Sequence, residues 1–310
     1  MILNTGSRTD IPAYYSNWFY QRIKDGYVIV RNPYNPTQVT KYILSPDVID
    51  AIVFCTKNPA PMLDRLDELK DFDMFWFVTI TPYGKDIEPF VPDKDVVMDS
   101  FISLSRKVGP TKMSWRYDPI FIDEKYDVDF HINAFREMSE KLKGSTNQVV
   151  VSFIDLYEKT KKNFPGVKSV SFSDQEMLID AFSKIARDNN MQIHLCCERE
   201  ELVRDNVDAS GCLSQGVLED AIGTHLKVPK PQNARAECQC LLGADIGAYN
   251  TCGHGCKYCY ANYDRETVVY NMKHHNPKSP LLAGELNDDD VVHEANQKSW
   301  KDGQMSIFDL

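Results

Sequence analysis

The feature that most constrains this chain is a rhythm. Short β-rich apolar runs recur along it: AIVFCT (51–56), MFWFVTI (74–80), KMSWRYD (112–118), QVVVSFI (148–154) and QIHLCC (192–197). Runs of that length and composition read as buried strands. Between them lie stretches whose apolar residues fall three or four apart: LDRLDELKDF (63–72), SFISLSRKV (100–108), INAFREMSEKL (132–142) and QEMLIDAFSKIARDNN (175–190). Strand and helix in alternation predict a parallel α/β sheet. MILN (1–4) offers a further strand at the start. In such folds the working residues gather in loops at the C-terminal ends of the strands. Here those loops read SRTD (7–10), TKNP (56–59), TPYGKD (81–86), RYDP (116–119) and CCERE (196–200). Turn chemistry accounts for any one of them, but five in step favour one shared face with a site on it. Arg8, Asp10, Lys57, Arg116 and Asp118 are therefore the candidate catalytic residues, lining a substrate or cofactor cavity. For each alone, a loop salt bridge or an N-cap is the plain alternative.

The 310 residues suffice for one large domain or two ordinary ones, and a 43% apolar share is ordinary for a globular chain. No repeat, low-complexity tract or membrane-length apolar run appears. MILNTGSRTD has no basic start and no apolar signal core, so a cytoplasmic protein is expected. In that setting nine cysteines point to thiols, metal ligands or catalytic groups rather than disulfides. A formal net charge of −10 argues against a generally basic nucleic-acid surface, though not against a local basic groove. Trp18, Trp76 and Trp115 could be base-stacking platforms. Two of them lie in strand-like runs, which favours core packing.

After residue 200 the rhythm stops, and 227–262 are rich in Cys, Gly and Pro. The expected organisation is an α/β barrel over 1–262, closed by the cysteine segment at about 236–262. A helical or polar extension (263–296) and a flexible tail (297–310) follow. TCGHGCKYCYAN (251–262) places Cys252, Cys256 and Cys259 in the spacing C-x3-C-x2-C. Gly253 and Gly255 let such a loop fold tightly round an inorganic core. Three thiolates can hold three irons of a [4Fe–4S] cube and leave the fourth open. Soft thiolates suit zinc as well, with Cys238 and Cys240 joining Cys256 and Cys259, though that leaves Cys252 and the aromatic spacing unexplained. A candidate second site, for a second [4Fe–4S] cluster or zinc, comprises Cys196, Cys212, Cys238 and Cys240. Neighbours on a continuing strand point to opposite sides, so only one of Cys196 and Cys197 would bind, and Cys196 is preferred because Cys197 is then left packed in the sheet. The plain alternative is that these cysteines are small buried hydrophobes, as expected of Cys55. His254 is expected to face solvent, and His274 and His275 to lie on the surface.

C-x3-C-x-aromatic-C, with Tyr258 before the last cysteine, resembles the signature of the radical S-adenosylmethionine (SAM) enzymes. CGHGCKYCYA resembles the form found in their spore photoproduct lyase-like branch. The resemblance implies that Cys252, Cys256 and Cys259 ligate a [4Fe–4S] cluster whose open iron chelates SAM, with Tyr258 near the adenine. Reductive cleavage of SAM would then give a 5′-deoxyadenosyl radical that abstracts hydrogen. VFCTKNPAPMLDRLDEL (53–69), FVTITPYGKDIEPFVP (77–92) and MSWRYDPIFID (113–123) resemble segments of the same branch more loosely. Those enzymes usually carry the motif near the N-terminus, on the first strand of a partial (β/α) barrel. Here it comes last. As a whole the chain resembles the DUF1848 family, which carries such a C-terminal cysteine cluster. A circular permutation reconciles the two. First and last strands of a partial or closed TIM-like barrel are neighbours, so CLLGADIGAYNTC (240–252) would supply the motif strand.

QMSIF (304–308) resembles the short peptide by which bacterial polymerases and repair proteins bind the DNA sliding clamp. Gln304, Ser306, Ile307 and Phe308 would be its anchors, an extended peptide on a polar linker. The leading expectation is a radical SAM enzyme acting on a nucleic-acid lesion or modified base, fed by an electron donor such as flavodoxin or ferredoxin. The alternative is a metal- or cluster-stabilised DNA-associated binding protein without SAM chemistry. Neither involves a membrane.

Overall fold

The computed structural model describes residues 1–229, 238, 240, 241 and 243–302. In chain order its strands are β1 (Ile2–Asn4), β2 (Tyr27–Arg31), β3 (Gln38–Ile43), β4 (Ala51–Thr56), β5 (Met74–Thr79), β6 (Met113–Ile120), β7 (Gln148–Phe153), β8 (Gln192–Leu195), β9 (Val207–Asp208), β10 (Ala244–Asp245) and β11 (Val291–Glu294). The helices are α1 (Ile11–Tyr14), α2 (Ser16–Asp25), α3 (Lys94–Val108), α4 (Val128–Leu142), α5 (Glu158–Asn163), α6 (Phe172–Asp188), α7 (Gln215–Ile222) and α8 (Arg265–Lys273). Asp127, Ser171, Ser214 and Asp264 cap α4, α6, α7 and α8, each side chain accepting from a backbone N–H in the first turn.

Eight strands form one sheet in the order β10-β1-β4-β5-β6-β7-β8-β9, and every neighbouring pair is parallel. Alternation explains why these strands are apolar on both faces. Ile52, Phe54, Trp76, Val78, Trp115 and Val151 point into a core shared with α2, α3, α4 and α6. There Phe54 stacks on Trp76 with centroids 4.0 Å apart, and Phe135 of α4 stacks on Phe182 of α6 at 3.9 Å. Ala51, Val53, Phe75, Phe77 and Val150 point the other way, into a second core with Leu218 and Ala221 of α7 and with Cys212, Leu213 and Leu241. Helices thus pack on both faces. Trp18, Trp76 and Trp115 are all fully buried, as core residues.

The expected strands at 51–56, 74–80, 112–118 and 148–154 correspond to β4, β5, β6 and β7. The run 192–197 is shorter than expected: β8 stops at Leu195, and Cys197 turns the chain with φ of 59°. The helix expected over 63–72 is a 3-10 helix, Ala60–Leu69, entered through Pro59 and Pro61, whose missing N–H groups do not favour a regular α start. The last strand of the large sheet lies beside its first. β10 pairs with β1 through Leu3 opposite Ala244 and Asn4 opposite Asp245. β9 and β10 stand at the two ends of the strand order, and among the described residues no strand pairing joins these two edges.

A smaller sheet, β11-β3-β2, carries the hairpin β2–β3 and takes β11 from the C-terminal region. Residues 263–296, expected to form an extension, therefore share a sheet and a small core (Ile29, Val39, Leu281) with residues 27–43. Residues 297–302, expected in the tail, lie against the N-terminal end of the large sheet. Ser299 Oγ and Trp300 N donate to Asp50 at 2.5 and 2.8 Å, and Met1 N donates to Lys298 O at 2.8 Å. The clamp-like peptide, Gln304 to Phe308, lies outside the described residues. No described helix is long and apolar enough to cross a membrane.

Candidate functional site

The strands end on one face, and the cysteine loop is laid across it. Gly255 makes the turn with φ of +68°, and a Cβ there would stand 2.9 Å from the Phe90 ring. Gly253 is needed for a different reason: its Cβ would meet the Tyr14 ring at 2.8 Å. The loop is fastened on several sides. Tyr15 donates to Thr251 O at 2.6 Å, Phe90 N to His254 O at 3.2 Å, and Lys257 N to Ile87 O at 3.0 Å.

His254 is not a solvent-facing histidine, as the loop position suggests, but a buried one. Its Nε2 bonds Asp10 at 2.8 Å and its Nδ1 bonds the Tyr14 hydroxyl at 3.0 Å. Asp10 in turn caps α1, accepting from Ala13 N at 3.0 Å, and accepts from Lys57 N at 2.7 Å. One carboxylate therefore ties the loop after β1, the loop after β4 and the cysteine loop together. The N-cap reading of Asp10 is correct but covers only part of its contacts. His275 is half-buried, its Nδ1 within 2.9 Å of Leu282 O, whereas His274 is exposed.

Lys57 reaches into the same face. Its Nζ donates to Glu88 at 2.7 Å, and Thr81, Tyr258 and Lys94 also donate to that carboxylate. Glu88 is 1% exposed. Burial alone would raise its pKa, but Lys57 and Lys94 outweigh it and hold the group at about 2. Burial likewise works against the Lys57 charge, and Glu88 with Cys256 more than offsets it, leaving that pKa raised. Tyr258, the aromatic of the motif, gives its hydroxyl to Glu88 and has Lys57 Nζ 5.5 Å from its ring centre.

The three thiols of the motif belong to partly buried residues. Burial pushes Cys252 well up and Cys256 up to about 12, and it raises Cys259 as well. The loop without metal thus holds neutral thiols, which a bound cationic centre would let ionise. Ala261 N already donates to Cys259 Sγ at 3.3 Å. An all-thiol donor set with one backbone donor to sulfur fits an iron–sulfur centre. Among the described residues, no group of three or more His, Cys, Asp or Glu side chains stands so as to hold a metal ion.

Arg116 and Asp118 stand together further along the face. Arg116 Nε and Nη2 donate to Asp118 at 3.0 and 2.5 Å, and Ser152 donates to the other Asp118 oxygen at 2.5 Å. Arg116 also points Nη1 at Cys212 Sγ (3.6 Å) and Nη2 at Cys196 Sγ (3.7 Å). Cys212 Sγ lies 3.7 Å from Cys196 Sγ and 3.3 Å from Cys240 Sγ. Cys197 reaches Cys196 as well, since the chain leaves the strand before the two cysteines and alternation does not separate them. Cys55 lies partly buried in β4, against the inner core. Arg8 belongs elsewhere: it pairs with Asp245, its Nη2 2.6 Å from Asp245 O, and so locks β10 to the loop after β1.

The sequence reading missed Glu88, Lys94 and Glu198. Burial pushes the Glu198 carboxyl up to about 8, with Asp155 and Asp118 adding to it, while Phe153 N donates to it at 2.7 Å. The signal for Glu88 was a carboxylate between Ile87 and Pro89 in an apolar turn. Glu198 stands in CCERE beside Arg199 and Glu200, and nothing in the sequence separates it from them.

Fold and site together define an α/β protein with a thiol-rich centre at the C-terminal ends of a parallel sheet. The chain belongs to the family described as Domain of unknown function (DUF1848), whose model matches residues 2–261. No curated protein and no solved structure matches it.

Proposed function

We propose that the protein is a radical SAM enzyme, with Cys252, Cys256 and Cys259 as the ligands of a [4Fe–4S] cluster. The observation that carries the reading is the placement of the three motif thiols on the face where the parallel strands end, beside the buried Lys57–Glu88–Lys94 network. A bound cluster with SAM would supply reductive cleavage of the sulfonium and a hydrogen-abstracting radical. The residues of this chain would bind and orient. Glu88 fixes Lys57, Lys94 and the Tyr258 hydroxyl in one cluster. Asp10 and His254 hold the cysteine loop against the loops after β1 and β4.

The order of strands supports the permuted-barrel reading, because β10, just before the motif, lies beside β1. A nucleic-acid substrate is supported by a local rim that departs from the acidic total charge. Tyr260 and Tyr263 are exposed, and Lys159 Nζ sits 3.5 Å from the Tyr263 ring centre and 4.8 Å from that of Tyr249. Aromatic faces interleaved with cations are the usual platform for unpaired bases. Sliding-clamp binding through Gln304, Ser306, Ile307 and Phe308, and an electron donor such as flavodoxin or ferredoxin, rest on the sequence alone.

The test is anaerobic reconstitution with iron and sulfide, followed by an assay for 5′-deoxyadenosine under reductant. Wild type should bind about four irons at the motif and form the nucleoside. The Cys252/Cys256/Cys259→Ala variant should lose those irons and fall to background. Wild type that binds no iron and sulfide sinks the proposal. Iron bound without 5′-deoxyadenosine would leave a cluster-stabilised binding protein.

A further inference from the structure

The chain segments beside the two edge strands of the large sheet meet through sulfur, Cys212 Sγ standing 3.3 Å from Cys240 Sγ. Cys212 follows β9, one edge strand, and Cys240 precedes β10, the other; Cys196 follows β8. Beside the thiols, Leu241 N donates to Leu213 O at 2.9 Å. Cys238, two residues before Cys240, is buried and lies within electrostatic reach of both Cys240 and Cys196. Cys196, Cys212 and Cys240 sit on the α7 side of the sheet, among Ile2, Val53 and Phe77.

We propose that Cys196, Cys212, Cys238 and Cys240 hold a single zinc ion that clasps the two edges of the sheet. Four thiolates 2.3 Å from one zinc stand about 3.8 Å from each other. In this structure the four side chains do not yet stand as a metal site, so the ion would draw them together from a start in which Cys196 and Cys212 keep 3.7 Å. Cys212 and Cys240, in S–H···S contact at 3.3 Å, would part by about half an ångström on losing their protons to the metal. The four corners of a cube of iron and sulfide would demand far larger separations, which this packed inner core does not offer. Zinc with four thiolates carries two negative charges. Arg116 supplies a positive one at two of the sulfurs and is itself oriented by Asp118. That is the outer-shell support a closed structural site requires. The site is filled by four protein ligands and has no open position, so its role is in the fold and not in the reaction.

This inference is independent of the iron–sulfur reading, and its test is made where that centre is absent. Zinc and iron are counted in the Cys252/Cys256/Cys259→Ala variant purified without oxygen. About one zinc per chain should remain, with X-ray absorption placing four sulfurs at about 2.3 Å. Adding Cys212→Ser and Cys240→Ser should remove it, whereas Cys197→Ala should not. Should the multiple variant not fold, wild type purified free of metal is titrated with cobalt(II). Intense visible bands and thiolate charge-transfer absorption at one equivalent would report a tetrahedral sulfur site. Retention of about four irons in the triple variant, zinc that survives Cys212→Ser with Cys240→Ser, or failure of both zinc and cobalt to bind would each overturn the proposal.

Discussion

Glu88 brings more charge into one buried place than any other residue beside the cysteine loop. Two ammonium groups, a hydroxyl and a phenol converge on one carboxylate that is 1% exposed. A buried ion pair contributes little net stability when whole, but removing one member strands the others. Glu88→Gln should therefore cost about 3 kcal/mol at pH 7, read from urea unfolding. The pH dependence has a definite sign. The folded pKa, about 2, lies below the ordinary 4.5, so the stabilising share is present above pH 4.5 and fades as pH falls toward 2. The gap between wild type and Glu88→Gln should narrow over that window. A gap that stays constant from pH 7 to pH 3 would show that the carboxylate charge is not what the lysines require.

Among the elements, β10 is the weakest link and the most consequential. It pairs with β1 through two residues only, and Asp245 does much of the fastening. That carboxylate accepts from Ser7 N at 3.3 Å and Gly247 N at 3.4 Å, and it pairs with Arg8. Asp245→Ala should raise amide exchange over residues 244–262 by about tenfold while β5 and β6 keep their protection. Uniform acceleration across the sheet would instead mean that β10 opens only with the whole domain. The elements legible in the sequence were those buried on both faces, because continuous apolar runs such as MFWFVT leave no other placement. The short strands were not legible in the same way. β9 and β10 have two residues each, too few for any period to show. YVIVR was passed over: it pairs with β3 in a hairpin, and the third strand of that small sheet, β11, lies far along the chain and joins β3 only in space. At the site, spacing alone picked out the three motif cysteines. The contacts of Asp10, His254 and Glu88 could not be read, because each joins loops far apart in sequence.

On the scale of the whole molecule, the two ends of the described chain meet beneath the sheet. Asp50 is fully buried and accepts from Met1, Ser299 and Trp300, while Lys301 donates to Asp73 at 2.9 Å. Ending the chain after residue 294 would leave Asp50 with fewer donors than a buried carboxylate needs. The melting temperature should drop by about 3 °C, the response of a 310-residue chain to roughly 2 kcal/mol. An unchanged melting temperature would mean that residues 297–302 merely rest on the sheet.

The pairing of β10 with β1 also sets a timetable. Roughly 240 residues separate Leu3 from Ala244, so at 5–20 residues per second a ribosome needs about 10–50 s between making the one and the other. During that interval β1 has no neighbour on its outer side, and the thiols of residues 252–259 have not yet been made. Whatever is delivered to that loop must therefore be delivered after the strands of the large sheet have been made. A chain with the same loop on its first strand could be loaded before the later strands existed.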